Sequence, residues 1–356
     1  MREISTGGVI TTIAGTGVMG YTGDNGPATN ARIGITGGLA LNSIGDLLMA
    51  DKSNSCIRSV VKGTQIVTTV AGVCRSGGYM GDNVSATTTR LNGPTGVSVN
   101  GDGEIIIADS ANHRIRKVSI DGIINTIGGN GVAGFSGESG IAIDAKLDSP
   151  TSVAITYNGE VIISDSGNQK IRKVDKNGII TAIAGSGVWG FGGDGGSALN
   201  ALLGSMLDVV VADDGAVLFA DTDNHRIRKV YKNGTIETVA GNGASTFSGD
   251  GVLATETAIS VPASVAFFNG ELYIADTMNF RVRKVFTNGT IITIAGNGTE
   301  GHCGENGLAI NTCISSPSSV VVNNVGEVFF SEVNHHIVRK IDRKGTISTF
   351  AGQFGP

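Results

Sequence analysis

ADSANHRIRKV, residues Ala108–Val118, decides the fold because the chain repeats it. Kindred segments are ADKSNSCIRSV from Ala50, SDSGNQKIRKV from Ser164, ADTDNHRIRKV from Ala220, ADTMNFRVRKV from Ala275 and SEVNHHIVRKI from Ser331. The acids at their second position, Asp51, Asp109, Asp165, Asp221, Asp276 and Glu332, are 58, 56, 56, 55 and 56 residues apart. So regular a period along 356 residues means one supersecondary unit used six times, each copy shielding the apolar face of the next.

Working outward from that segment, every unit divides into four short runs rich in Ile and Val and bounded by Gly, Asn and Asp. In the third copy these are TSVAI from Thr151, GEVIIS from Gly159, KIRKV from Lys170 and IITAIAG from Ile179. The last two runs flank Lys62-Gly63, Asp121-Gly122, Asn177-Gly178, Asn233-Gly234, Asn288-Gly289 and Lys344-Gly345. Asn-Gly and Asp-Gly predict a two-residue type I′ hairpin, which the two Lys-Gly copies fit less well. No run has the length or period of a helix. The pattern predicts an all-β, six-bladed β-propeller of four-stranded antiparallel blades, with 1–356 as a single domain that is complete or part of a longer chain.

Composition agrees. Glycine is abundant, at 55 residues without a three-residue period, as many tight turns require. No apolar run reaches the roughly 18 residues of a membrane span. The opening MREISTGGVITTIAG has no apolar core of the signal-peptide kind. A net charge of −5 argues against bulk attraction to nucleic acid.

The ADTxNHRIRKV and TIAGxG…GDG…A motifs, present six times in register, resemble those of the NHL-repeat family over essentially the whole chain. The resemblance implies a propeller. It leaves function open, since similar propellers serve in receptor kinases, cell-surface adhesion proteins such as teneurins, RNA-binding regulators and a peptide-amidating lyase.

A residue found in every copy is expected to hold copies together. Arg58, Arg116, Arg172, Arg228, Arg283 and Arg339 share one position. They are read as bridges to nearby acids, with a ring of cations for nucleic acid or anionic glycan as the alternative. Asn54, Asn112, Asn168, Asn224 and Asn279 are read as turn closures, with His335 in the sixth copy. The GDG-type acids Asp24, Asp82, Glu138, Asp194, Asp250 and Glu305 supply too few oxygens for calcium and are read as caps of the Ala-rich turn that follows.

Departures from the repeat mark candidate sites. The innermost-strand position reads Gly38, Gly96, Ser152, Asp208, Ser264 and Ser319, so Asp208 is the one carboxylate there. The single Trp189 stands beside Phe191 in an inter-blade loop, as an interface anchor or as rim packing. One inner-strand Asp cannot by itself hold a divalent ion and activate water, and His302, His335 and His336 come from one loop and turn rather than from several inner strands. No catalytic residue, metal or cofactor is therefore assigned.

Four cysteines predict either two local disulfides, Cys56–Cys74 and Cys303–Cys313, or four buried thiols. N-glycosylation sequons begin at Asn83, Asn233, Asn288 and Asn297. Together these point to a secreted or cell-surface module that binds protein or glycan. The alternatives are a channel hydrolase or lyase centred on Asp208, and an RNA-binding propeller. Finally, the fourth-strand motif occurs seven times, VITTIAG from Val9 competing with TISTFAG from Thr346 for one slot. A terminal strand is thus predicted to serve as an edge for a homo-oligomer or filament.

Overall fold

A computed structural model describes residues 19–304, 306–335 and 337–351, together with the backbone of two short segments, Arg2–Ile4 and Ile10–Thr12. Glu305 and His336, and parts of the first VITTIAG segment, lie outside the described residues. Six antiparallel sheets follow one another along the chain, and no α-helix occurs among the described residues. In blade three the strands are Ser152–Ile155, Val161–Asp165, Lys170–Val174 and Ile179–Ala184, paired in sequence order. The first strand lines a central channel and the fourth lies outermost. One end of the propeller carries the turns within the first and second hairpins; we call it the hairpin end. The opposite, loop end carries the passage from second to third strand and the long connections between blades.

Five blades gain a fifth, two-residue strand from the connection that precedes them, such as Val84–Ser85 on Ile123–Gly128. In blade four a single bridge, Ser197↔Thr235, stands in its place. These pieces cover the outer backbone edge, which would otherwise be a template for pairing with another chain. The expected contest between terminal strands does not arise. Thr346–Ala351 fills the fourth place of blade six, whereas Ile10–Thr12 pairs with Arg2–Ile4 in a separate hairpin alongside it.

The turn between third and fourth strands is not type I′. Gly122, Gly178, Gly234, Gly289 and Gly345 have φ of 75° to 83°, but the residues before them do not have positive φ. Asp175 anchors the blade-three turn: its backbone carbonyl accepts from Gly178 N–H (3.0 Å) and its side chain from Asn177 and Ile179 N–H (2.9 and 2.8 Å). This is a three-residue loop with glycine in the left-handed position. Only the glycine is conformationally special, so Lys344-Gly345 serves as well as Asn-Gly.

Hydrophobic clusters sit between neighbouring blades, not inside any one of them. Ala154 and Ile162 of blade three, for example, pack with Leu203, Met206 and Phe219 of blade four. Small residues on the inner strands let these strands approach closely: a Cβ on Gly37 would lie 2.3 Å from the Thr95 carbonyl oxygen of the next blade. The ring closes where Phe329 and Val321 of blade six meet Leu39, Leu47 and Met49 of blade one.

The repeated arginines are wholly buried. In blade four the Arg228 guanidinium meets Asp194 of the loop at 2.7 Å and Asp221 at 3.2 Å. Blades one to three and five repeat this, with loop acids Asp24, Asp82, Glu138 and Asp250 at 2.6 to 2.9 Å. The loop acids therefore do not cap the Ala-rich turns, which have no side-chain cap. They bind the arginine and also a fourth strand, where the register slips by one residue opposite it: Thr126 and Ala182 N–H donate to Asp82 and Glu138 at 2.9 and 2.7 Å. The bulge frees an N–H and the loop acid accepts it.

Each second-strand acid is fastened from both sides. Asp221 accepts from Gly204 N–H and from the Asn224 amide, both at 2.8 Å, and Asn224 donates again to the Gly190 carbonyl at 2.6 Å. The repeated asparagines are thus ties across the turn rather than simple turn closures. Burial pushes the carboxyls of Asp51, Asp109 and Asp165 up to about 6, against the opposing pull of these donors and of the arginines.

Candidate functional site

The loop end of blade four carries one departure from the repeat, Trp189. Trp189 is 63% exposed, and its Nε1–H donates to Asp223 Oδ2 at 3.3 Å. Asp223 also accepts Ser205 N–H at 3.1 Å, so the indole edge is steadied while its face stays in solvent. Val188, its neighbour in sequence, is also exposed, and Leu207 of the same blade is exposed at the channel. Phe191 has a different setting. The Arg226 guanidinium lies 3.5 Å from its ring centroid and the buried Arg228 guanidinium 4.9 Å away. Tyr21, Tyr79, Phe135 and Phe247 make the same contact with the arginine of their own blade at 5.0 to 5.2 Å. Phe191 therefore acts as a lid on its blade's ion pair, and Trp189 is the aromatic residue peculiar to blade four.

Asp208 stands at the channel, whose walls enclose about 560 Å³. Protein surrounds it closely, yet channel solvent still reaches one side, so it is half-buried. Both oxygens are occupied. Oδ1 accepts Ser152 Oγ–H (2.8 Å) and Val209 N–H (2.9 Å), and Oδ2 accepts Ser264 Oγ–H (2.7 Å) and Val265 N–H (3.1 Å). Ser264 Oγ in turn accepts Val320 N–H at 3.1 Å. One carboxylate thereby links blades three, four and five, and the chain of bonds continues into blade six. Burial raises its carboxyl above the ordinary aspartate range while the two serine hydroxyls and the backbone N–H groups oppose the rise. A group with four donors already in place has no free lone pair directed at a substrate.

A larger hollow of about 1080 Å³ opens at the hairpin end between blades three and four, walled by Tyr157, Glu160, Lys173, Tyr231 and Lys232. Asn233, a sequon residue, is in its wall. All four sequon asparagines are exposed. Asn233 and Asn288 occupy hairpin-end turns, and Asn83 lies near that end, where its N–H donates to the Ile124 carbonyl. Asn297 follows a fourth strand toward the loop end, and its amide donates to the Asn311 carbonyl at 3.3 Å.

Both disulfides are formed, Cys56–Cys74 and Cys303–Cys313, and the described residues contain no free cysteine. Each lies at the loop end, one joining a third strand to the connection beyond it and the other closing a single connection. The six repeated arginines are buried, so none presents its charge to phosphate. Among the described residues no helix is long and apolar enough to cross a membrane.

The model of the NHL repeat matches residues 91–118. Among curated proteins, the chain is similar to Protein SUPPRESSOR OF QUENCHING 1, chloroplastic, of Arabidopsis thaliana. The identity is 30% over 274 residues, 70% of this chain and 25% of that protein. It is also similar to Teneurin-4 of Mus musculus, 29% identical over 266 residues, 67% of this chain and 9% of that protein. The chain thus spans a quarter or less of these relatives' own length. Among solved structures, an auxiliary nutrient binding protein of Bacteroides thetaiotaomicron aligns with a TM-score of 0.66 at 16% identity, covering 96% of this chain and 76% of that one. A streptogramin B lyase aligns at 0.57 and 14% identity, covering 90% and 84%. At such identities these likenesses establish the fold.

Proposed function

Because this chain belongs to the NHL-repeat β-propellers, a fold that carries binding proteins and a lyase alike, we propose that it is a non-catalytic binding module of the secretory or extracellular space. Its partner, a protein or a glycan-bearing protein, docks on the loop end of blade four. The observation that carries this reading is Trp189, a large aromatic side chain held by its edge and exposed on its face where other blades have Met19, Ala133 and Ser245. Aromatic anchors of this kind dominate binding energy at interfaces. The two disulfides favour an oxidising compartment. Glycans on Asn83, Asn233 and Asn288 would crowd the hairpin end, and one on Asn297 would stand in the connection between blades five and six, so the loop end at Trp189, which precedes blade four, is left for the partner.

The test pairs two variants against arrays of secreted proteins and of glycans. Trp189→Ala is expected to weaken binding of the captured ligand by about 2 kcal/mol, roughly thirtyfold, as at a hot-spot residue. Asp208→Ala is the comparison for the enzymatic reading. Turnover of a lactone, ester or glycan substrate that disappears in Asp208→Ala, with binding indifferent to Trp189→Ala, would overturn the proposal.

A further inference from the structure

Blade six departs from the other five at three positions at once, and the fold brings all three together. Where blades one to five have Tyr21, Tyr79, Phe135, Phe191 and Phe247, blade six has His302. Where they have aspartate on the second strand, it has Glu332. Where they have Asn54, Asn112, Asn168, Asn224 and Asn279, it has His335. One nitrogen from each histidine and one oxygen of Glu332 lie within 4.8 Å of one another. The two imidazoles stand edge to face, centroids 6.1 Å apart. In sequence the histidines are far apart, and each looks like an isolated exchange within the repeat.

We propose that His302, Glu332 and His335 form a binding site for a divalent cation of the zinc class. Two imidazoles and a carboxylate are a donor set for borderline transition ions and suit calcium or magnesium poorly. Bonds of about 2.05 Å in tetrahedral geometry place ligand atoms roughly 3.3 Å apart, so rotation of the partly exposed histidine side chains has to draw the three together. Three protein ligands leave the remaining position to water.

The surroundings are built for the two loops to meet. The connection bearing His302 is closed by the adjacent Cys303–Cys313 disulfide. Glu332 is buried and fixed by Ser315 N–H at 2.9 Å, and its Oε2 lies 3.0 Å from His335 Nδ1. Arg339 Nη1 approaches Glu332 Oε1 at 3.1 Å and His302 Nδ1 at 3.3 Å. The ion therefore competes with one guanidinium for two of its ligands. That competition makes the grip weaker than that of a structural zinc site.

The repeat supplies its own control. His302→Phe and His335→Asn install the residues that the other blades use in the same positions, so both variants are expected to fold. Titration calorimetry of the disulfide-bonded chain with zinc chloride should show one site per chain, and cobalt(II) should develop visible absorption there. Calcium chloride should give no comparable heat. Either substitution should weaken zinc by at least about tenfold and the pair should abolish the cobalt spectrum. Circular dichroism confirms folding, and His335→Gln replaces any variant that fails to melt cooperatively. The proposal is overturned if the native chain takes up no zinc, or if the double variant binds it as well as the native chain.

Discussion

Replacing Arg228 by methionine is expected to lower the free energy of unfolding by about 3–5 kcal/mol, the range for breaking a buried ion pair from one side. The cost does not come from the loop partner, since Asp194 is more than a third exposed and solvent can take over its charge. It comes from Asp221, which is wholly buried. Asp221 would keep the Gly204 and Asn224 donors but lose its counter-ion. Burial already raises the Asp221 carboxyl, and without the guanidinium it rises further. A carboxyl raised above its unfolded value stabilises the fold when protonated, and that contribution is lost as pH climbs through the folded value. The deficit of Arg228→Met should therefore be larger near about pH 8 than near about pH 5. Adding Asp221→Asn, which keeps the acceptor but removes the charge, should recover part of the loss in a double-mutant cycle. A loss below about 1 kcal/mol in denaturant titration would mean that the arginine is a passenger in its blade.

The disulfides give the second large effect. Cys56 and Cys74 close a loop of 18 residues, for which chain entropy predicts about 3 kcal/mol. Cys303 and Cys313, 10 residues apart, predict slightly less. Cys56→Ala with Cys74→Ala should accordingly melt several degrees lower than the native chain. Reductant should lower the native melting temperature further than that of the variant, which has only the second bridge to lose. Equal melting of the native chain with and without reductant would show that the sheets alone hold these connections.

The architecture was legible because its signal is periodic. An acid and an arginine seven residues apart, recurring six times, place second and third strands without any knowledge of contacts. What escaped were features depending on how distant segments meet. The loop acids looked like caps because a cap is the local use of a carboxylate, whereas their partners, such as Arg58 for Asp24, lie 34 residues away. Asn177-Gly178 looked like a type I′ turn because the dipeptide alone does not show that Asp175 organises the loop one position earlier. The two-residue fifth strands are too short to have a period. Asp208 was found because it breaks the pattern of small inner-strand residues, but the three of its four hydrogen bonds that reach Ser152, Ser264 and Val265 in the flanking blades were not readable. His302, Glu332 and His335 were visible singly, and only the fold shows them as a group.

The boundary between the last wedge and the first is mechanically unlike the other five. Elsewhere around the circle a stretch of polypeptide runs from each wedge to its neighbour, and here none does; nor does any described strand cross over to stitch the two. Oily contacts between Phe329 and residues such as Met49 carry the junction, and the ribbon of Arg2–Ile4 and Ile10–Thr12, rooted before the first wedge, lies along the outermost strand of the last. A pull on both termini would load this junction before any other. The spare strand copy, which precedes the first wedge in the chain and touches the outermost strand of the last, then acts as a clasp between the two.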